Sequence, residues 1–121
     1  MHKYFADFHP DGRLFVAISR DNAIRAVLAV DRLTETKAIL KWIFVAPEDR
    51  RRDLGSRLLD RAVEFARASG YSKLVVGTLP RMKGALHLYE KKGFSFRQQV
   101  TFWRNPMLVY ERDFRQEGAG S

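Results

Sequence analysis

Cysteine is absent from the 121-residue chain. That excludes disulfides, thiolate metal sites and a cysteine nucleophile, and it suits a reducing cytoplasm, which is the expected location. Long apolar runs are absent as well. None approaches the roughly 18 to 20 residues that cross a bilayer, so no membrane partner is expected. The opening Met1-His2-Lys3-Tyr4-Phe5-Ala6-Asp7 has no unbroken apolar stretch behind a basic cluster, which argues against a secretory leader. Acid is scarce beside base: 14 Asp and Glu stand against 22 Lys and Arg, a formal net charge of +8. A field of that sign favours anionic ligands such as nucleic acid, acidic headgroups or phosphorylated small molecules, although solubility alone also accounts for it. What is present is core-forming material, 45% hydrophobic and 12% aromatic, which argues against disorder. The length suits one domain, placed at residues 1–114, with a polar tail at 115–121.

Residues 1–13 begin aromatic, with Tyr4, Phe5 and Phe8, and close on the turn-forming His9-Pro10-Asp11-Gly12. Leu14 to Arg20 and Ile24 to Arg32 read as a hairpin around Asp21-Asn22. Lys37 to Val45 reads as a central strand, with Ala38, Leu40, Trp42 and Phe44 on one buried face and Ile39, Ile43 and Val45 on the other. Pro47 ends it. From Leu54 the period becomes helical: Leu58, Leu59, Ala62, Val63, Phe65 and Ala66 share a stripe that stops at Gly70. Leu74-Val75-Val76 is most simply a strand parallel to 37–45, with the helix as crossover. Pro80 opens a second helix that stops at Gly93. Phe94 to Val100 and Met107 to Phe114 are the last strands, joined by a loop containing Asn105-Pro106. The expected class is therefore α+β, a mixed and mostly antiparallel sheet in the order β-β-β-α-β-α-β-β. Trp42, Phe44 and Phe65 are expected in the core. His2, His9 and His87 lack partners at metal spacing, so no metal is expected.

The chemistry concentrates between the central strand and the long helix, at Arg50-Arg51-Arg52-Asp53-Leu54-Gly55-Ser56. A helix start exposes backbone N–H groups and carries partial positive charge. A pyrophosphate suits such a place, Gly55 lets the backbone come close, and arginines add charge-assisted hydrogen bonds. The plainer reading makes Asp53 an N-cap and the arginines a solvated loop. Neither a Walker loop nor a dinucleotide fingerprint is present.

Val45-x-Pro47-x-x-Arg50-x-x-x-x-Gly55-Ser56-x-Leu58-Leu59, followed by Ala85-x-x-Leu88-Tyr89-Glu90-Lys91-x-Gly93-Phe94, closely resembles the GCN5-related N-acetyltransferase (GNAT) family over about residues 24–114. The resemblance implies a central parallel pair splayed to hold acyl-CoA and an acetyl-CoA-dependent N-acetyltransferase. That enzyme would act by direct attack of an amine in a ternary complex. It implies pyrophosphate binding at Arg50–Ser56, with Asp53 where the family has a middle glycine, and pantetheine binding along Ile43, Phe44 and Val45. One N–H of that strand would polarise the thioester carbonyl. Tyr89 takes the place of the tyrosine that protonates the departing thiolate; the alternative is a core residue with its hydroxyl at the surface. Three positions depart from the family. Met82 stands where an asparagine often helps hold the cofactor, Gly77 stands where some members have a general-base glutamate, and only about 13 residues precede the first hairpin. The chain thus looks like a truncated member whose acceptor pocket is open, built from Tyr4, Phe5 and Phe8, or completed by a second subunit. A homodimer is expected, in contact through the aromatic N-terminal segment or the last strands.

The alternative is a non-catalytic module that binds acyl-CoA as an effector, or a nucleic acid through its basic surface. Nucleic-acid binding asks for basic residues spread along a face with exposed aromatics between them. The densest cluster, Arg50–Arg52, lies instead where a CoA needs it. The expected partner is a small-molecule or peptide amine.

Overall fold

The computed structural model describes residues 2–9, 12–46 and 54–115, with backbone alone for 2–9 and Ile43. Strands β1 (His2–His9), β2 (Gly12–Ile18), β3 (Ile24–Arg32) and β4 (Lys37–Val45) form an antiparallel meander. Helix α1 (Leu54–Ala68) then crosses to β5 (Lys73–Thr78), which runs parallel to β4. Helix α2 (Lys83–Lys91) leads to the hairpin of β6 (Ser95–Phe102) and β7 (Asn105–Asp113). The seven strands lie in the order β1-β2-β3-β4-β5-β7-β6, a mostly antiparallel sheet with one parallel pair, as the class expected from the sequence requires. An additional strand, β1, precedes the expected hairpin and pairs with β2. Among the described residues no helix is long and apolar enough to cross a membrane.

Helix α1 follows its apolar stripe: Leu54, Leu58, Leu59, Ala62, Val63 and Ala66 are buried. They pack on Phe15 and Ala17 of β2, Ala26, Leu28 and Val30 of β3, Ala38 and Leu40 of β4, and Leu74 and Val76 of β5. The same core takes in Tyr89 of α2, Phe94, Tyr110 and Phe114. Phe65 packs at its margin, edge-on to Phe15 with centroids 6.0 Å apart. Gly70 and Gly93 close the two helices at φ +89°, a conformation that costs glycine nothing and other residues a Cβ clash.

Four expectations need correction. The first concerns the faces of β4. Leu28 pairs with Trp42 but Val27 pairs with Phe44, so Ile43 is an extra residue, a β-bulge. A bulge inverts the alternation beyond it. Phe44 therefore leaves the core face and is 43% exposed, while Val45 turns inward against the core. Second, the other face of β4 is not deeply buried, since Ile39 is half-buried and Lys41 exposed. Third, Pro80 does not open the second helix. It sits in a turn closed by the Met82 N–H on the Leu79 carbonyl at 3.0 Å, and α2 starts at Lys83. Fourth, Asn105 and Pro106 belong to β7. The hairpin turn is Trp103-Arg104, both residues left-handed at φ 51° and 66°.

Candidate active site

The parallel pairing of β4 and β5 runs only from Lys37↔Lys73 to Leu40↔Val76, although β4 continues to Val45 and β5 to Thr78. Beyond Leu40 the two strands part. Backbone N–H and C=O groups along a parted edge are a template for an extended chain with amides of its own. The bulge at Ile43 lies on this free stretch, beside Phe44 and Val45. All three residues named for pantetheine binding thus fall where the sheet opens.

Tyr89 reaches the same level from α2. Its ring is 1% exposed and packs against Phe94 and Tyr110, with centroids at 5.7 and 6.3 Å. Trp42, two residues past the last β4–β5 pair, donates its Nε1–H to the Tyr89 hydroxyl at 3.0 Å. Burial pushes the Tyr89 phenol up to about 12, with the Trp42 hydrogen bond opposing that rise in part. The oxygen is thus occupied as an acceptor, while the phenolic proton has no acceptor among the described residues. The hydroxyl does not lie at the surface.

The first turn of α1 brings in three more named residues. Leu54 is buried in the core, which leaves its backbone for any ligand, and Gly55 and Ser56 are half-buried. A Cβ on Gly55 would meet Trp42 Cη2 at 3.8 Å and Leu88 Cδ2 at 4.0 Å, ordinary contact distances. Gly55 thus stands between Trp42 and Leu88 with room to spare. Arg50, Arg51, Arg52 and Asp53 lie outside the described residues. Met82 is the N-cap of α2, exposed and without a side-chain cap hydrogen bond. A thioether is a weak acceptor and does not replace an asparagine amide.

Gly77, on β5, lies under Met107 of the neighbouring strand. A Cβ there would stand 2.8 Å from Met107 Sδ, so the place of a general-base carboxylate is filled by a thioether. The buried carboxylate farther along this face, Glu111, is paired to Lys73 at 3.0 Å and to Lys37 and Arg97 at 3.7 Å. Trp42 is the site residue that sequence reasoning assigned only to the core. It lies 47 positions from Tyr89, and no local spacing joins them.

The family model described as the acetyltransferase (GNAT) family matches residues 1–94. An uncharacterized N-acetyltransferase of Schizosaccharomyces pombe is 33% identical over 75 residues, 60% of this chain and 45% of that protein. This chain spans less than half the length of the curated relatives it matches. Among solved structures, nourseothricin acetyltransferase is 27% identical with a TM-score of 0.77, over 86% of this chain and 66% of that one. A GNAT family acetyltransferase from Elizabethkingia anophelis, with acetyl-CoA bound, shares the fold at 23% identity and a TM-score of 0.72, over 85% and 76% of the two chains.

Proposed function

Because this chain belongs to the GNAT acetyltransferase family, we propose that it is an N-acetyltransferase acting in the cytoplasm. It would transfer the acetyl group of acetyl-CoA directly to a primary amine in a ternary complex. The observation that carries this reading is the buried Tyr89 phenol at the parting of β4 and β5, its oxygen held by Trp42 and its proton unspent. The residues fit acetyl-CoA, which when bound supplies an activated acyl thioester. Main-chain groups of Ile43, Phe44 and Val45 would pair with the amides of the pantetheine arm. Leu54, Gly55 and Ser56 offer the amides of a helix start to the pyrophosphate, with Arg50, Arg51 and Arg52 for its charge and Asp53 among them. Met82 at the start of α2 would contribute apolar contact.

The raised ionisation of Tyr89 refines its role. A cysteine thiol ionises near 8.5, and the plain alkyl thiol of CoA, though it ionises higher than that, is still below a phenol held at about 12. Complete transfer of the proton to a thiolate is therefore uphill. The main contribution of Tyr89 is a charge-assisted hydrogen bond to sulfur as negative charge builds there. With Met107 over Gly77, the amine would arrive neutral or lose its proton through water.

Two measurements test the assignment together. Tyr89→Phe is expected to lower turnover about 10²- to 10³-fold while acetyl-CoA binding, followed by calorimetry, stays near normal. Arg50→Ala/Arg52→Ala is expected to do the reverse and weaken binding first. Acetyl-CoA binding without any amine turnover in the unmodified chain would favour the effector-binding module instead.

We also propose a homodimer in contact through the β6–β7 hairpin. Val100 and Phe102 of the edge strand β6 are exposed there, and so is Trp103 of its turn, at 81%. Light scattering at micromolar concentration should give twice 14.0 kDa, and Trp103→Ser should return the monomer.

A further inference from the structure

We propose that the acceptor is a small primary amine that carries a carboxylate, held through Arg81 in a cavity at the carboxyl end of β5. The inference rests on the N-acetyltransferase reading above and names its substrate class. The cavity, about 450 Å³ and open to solvent, is lined by Leu79, Pro80, Arg81, Asn105 and Pro106. Leu79 directly follows Thr78, the last residue of β5, so the cavity adjoins the strand end that has already parted from β4. A second substrate placed there enters beside the opening assigned to the thioester.

The lining decides the chemistry. Leu79 and the two prolines make an apolar wall, and Arg81 is the one charged group among the described lining residues. A turn fixes the backbone of Arg81, from which its exposed side chain reaches the cavity. Pro80 fixes the second position of the Leu79–Met82 turn, Arg81 takes the third, and the 3.0 Å hydrogen bond from Met82 N–H to Leu79 C=O closes it. Its guanidinium makes no hydrogen bond or ion pair with the described residues, so its donor fork is free for a planar carboxylate.

The opposite wall is fixed independently. Trp103 and Arg104 both adopt the left-handed conformation without being glycine, which costs on the order of a factor of ten in stability each and persists only where neighbours enforce it. Here the closure of β6 on β7 imposes it, since Phe102 pairs with Asn105 around a two-residue loop, and Asn105 Nδ2 adds a hydrogen bond to the Trp103 carbonyl at 2.9 Å. One Nδ2–H is used in that bond, and Asn105 Oδ1 is left to accept an N–H from a ligand. A guanidinium on one wall and an amide oxygen on the other match an amine and a carboxylate in one small molecule. Among the described residues no acidic side chain lines the cavity to attract a polyamine.

The test compares amines that differ only in the carboxylate: L-phenylalanine against phenethylamine and L-leucine against 3-methylbutylamine, with spermidine as the polycation. Release of the CoA thiol can be followed with a thiol reagent against no protein background, since the chain has no cysteine. The acids are expected to exceed their decarboxylated partners about 10- to 100-fold in kcat/KM, the range of a hydrogen bond to a charged group. Arg81→Gln should bring that ratio toward one, chiefly by raising KM for the acids, and Arg81→Lys should restore part of it. A ratio at or below one, or one that Arg81→Gln leaves unchanged, overturns the inference. So does an Arg81→Gln variant whose only defect is in acetyl-CoA binding, or a chain that binds acetyl-CoA but acetylates neither acid. In each of these acetyl-CoA binding stands, and the cosubstrate reading stands with it as long as another of the amines is acetylated. Failure to bind acetyl-CoA at all takes that reading with it.

Discussion

Tyr89 couples the proposed chemistry to stability. A phenol buried at 1% exposure resists ionisation, and its folded value of about 12 lies above the ordinary 10 of the unfolded chain. Below pH 10 both states hold the proton and the difference contributes in full. Between about 10 and 12 the unfolded chain releases its proton while the folded one keeps it, so stability falls as pH rises. The loss reaches roughly 3 kcal/mol, two units at about 1.36 kcal/mol each. Urea unfolding of the wild type and Tyr89→Phe across this range should show it as a drop present in the first and missing from the second. At neutral pH Tyr89→Phe should itself cost about 1 to 3 kcal/mol, because the Trp42 N–H loses its buried acceptor.

Among the elements, the first turn of α1 offers a separable test. Gly55 sits in a helix, and the neighbours of an added methyl stand at 3.8 and 4.0 Å, so alanine fits without displacing Trp42 or Leu88. Gly55→Ala should therefore stabilise by about 0.5 to 1 kcal/mol, through lower backbone entropy of the unfolded chain. A melting temperature raised by a few degrees in the free chain is the expected result, with acetyl-CoA affinity lowered because the added methyl keeps the pyrophosphate from the Gly55 amide. The stripe of α1, its end at Gly70 and the crossover to β5 were legible in the sequence because helical period and a glycine stop are local signals. The bulge at Ile43 was not. The residues from Ile39 to Val45 are nearly all apolar, so no alternation betrays a skipped beat, and Phe44 was assigned to the wrong face. The turn at Trp103-Arg104 was hidden for a different reason: it lacks the Asn-Gly or Asp-Gly that such a hairpin favours, while Asn105-Pro106 beside it supplies the usual turn residues. Within the candidate site, Tyr89 was singled out from its motif. Its partner Trp42 was not, since their contact exists only once α2 lies across β4.

On the scale of the molecule, a net charge of +8 meets a proposed ligand rich in phosphate. Part of the attraction is long-range and is screened over about 10 Å at 0.1 M salt and about 3 Å at 1 M. Acetyl-CoA affinity measured by calorimetry should thus fall several-fold from 0.05 to 0.5 M sodium chloride, mainly through slower association. Strand order has a consequence of another kind. Strands β1 to β4 each pair with their neighbour in sequence, but β7 lies between β5 and β6, so β6 has no place in the sheet until β7 arrives. As the chain leaves the ribosome, the meander and α1 can assemble while the rest is still being made. The half of the sheet that carries Gly77, the cavity and the end of β5 waits for residues 105–113 to emerge. Translation itself sets the schedule: the frame that orients Trp42 is built early, and the wall facing it is completed by the last strand.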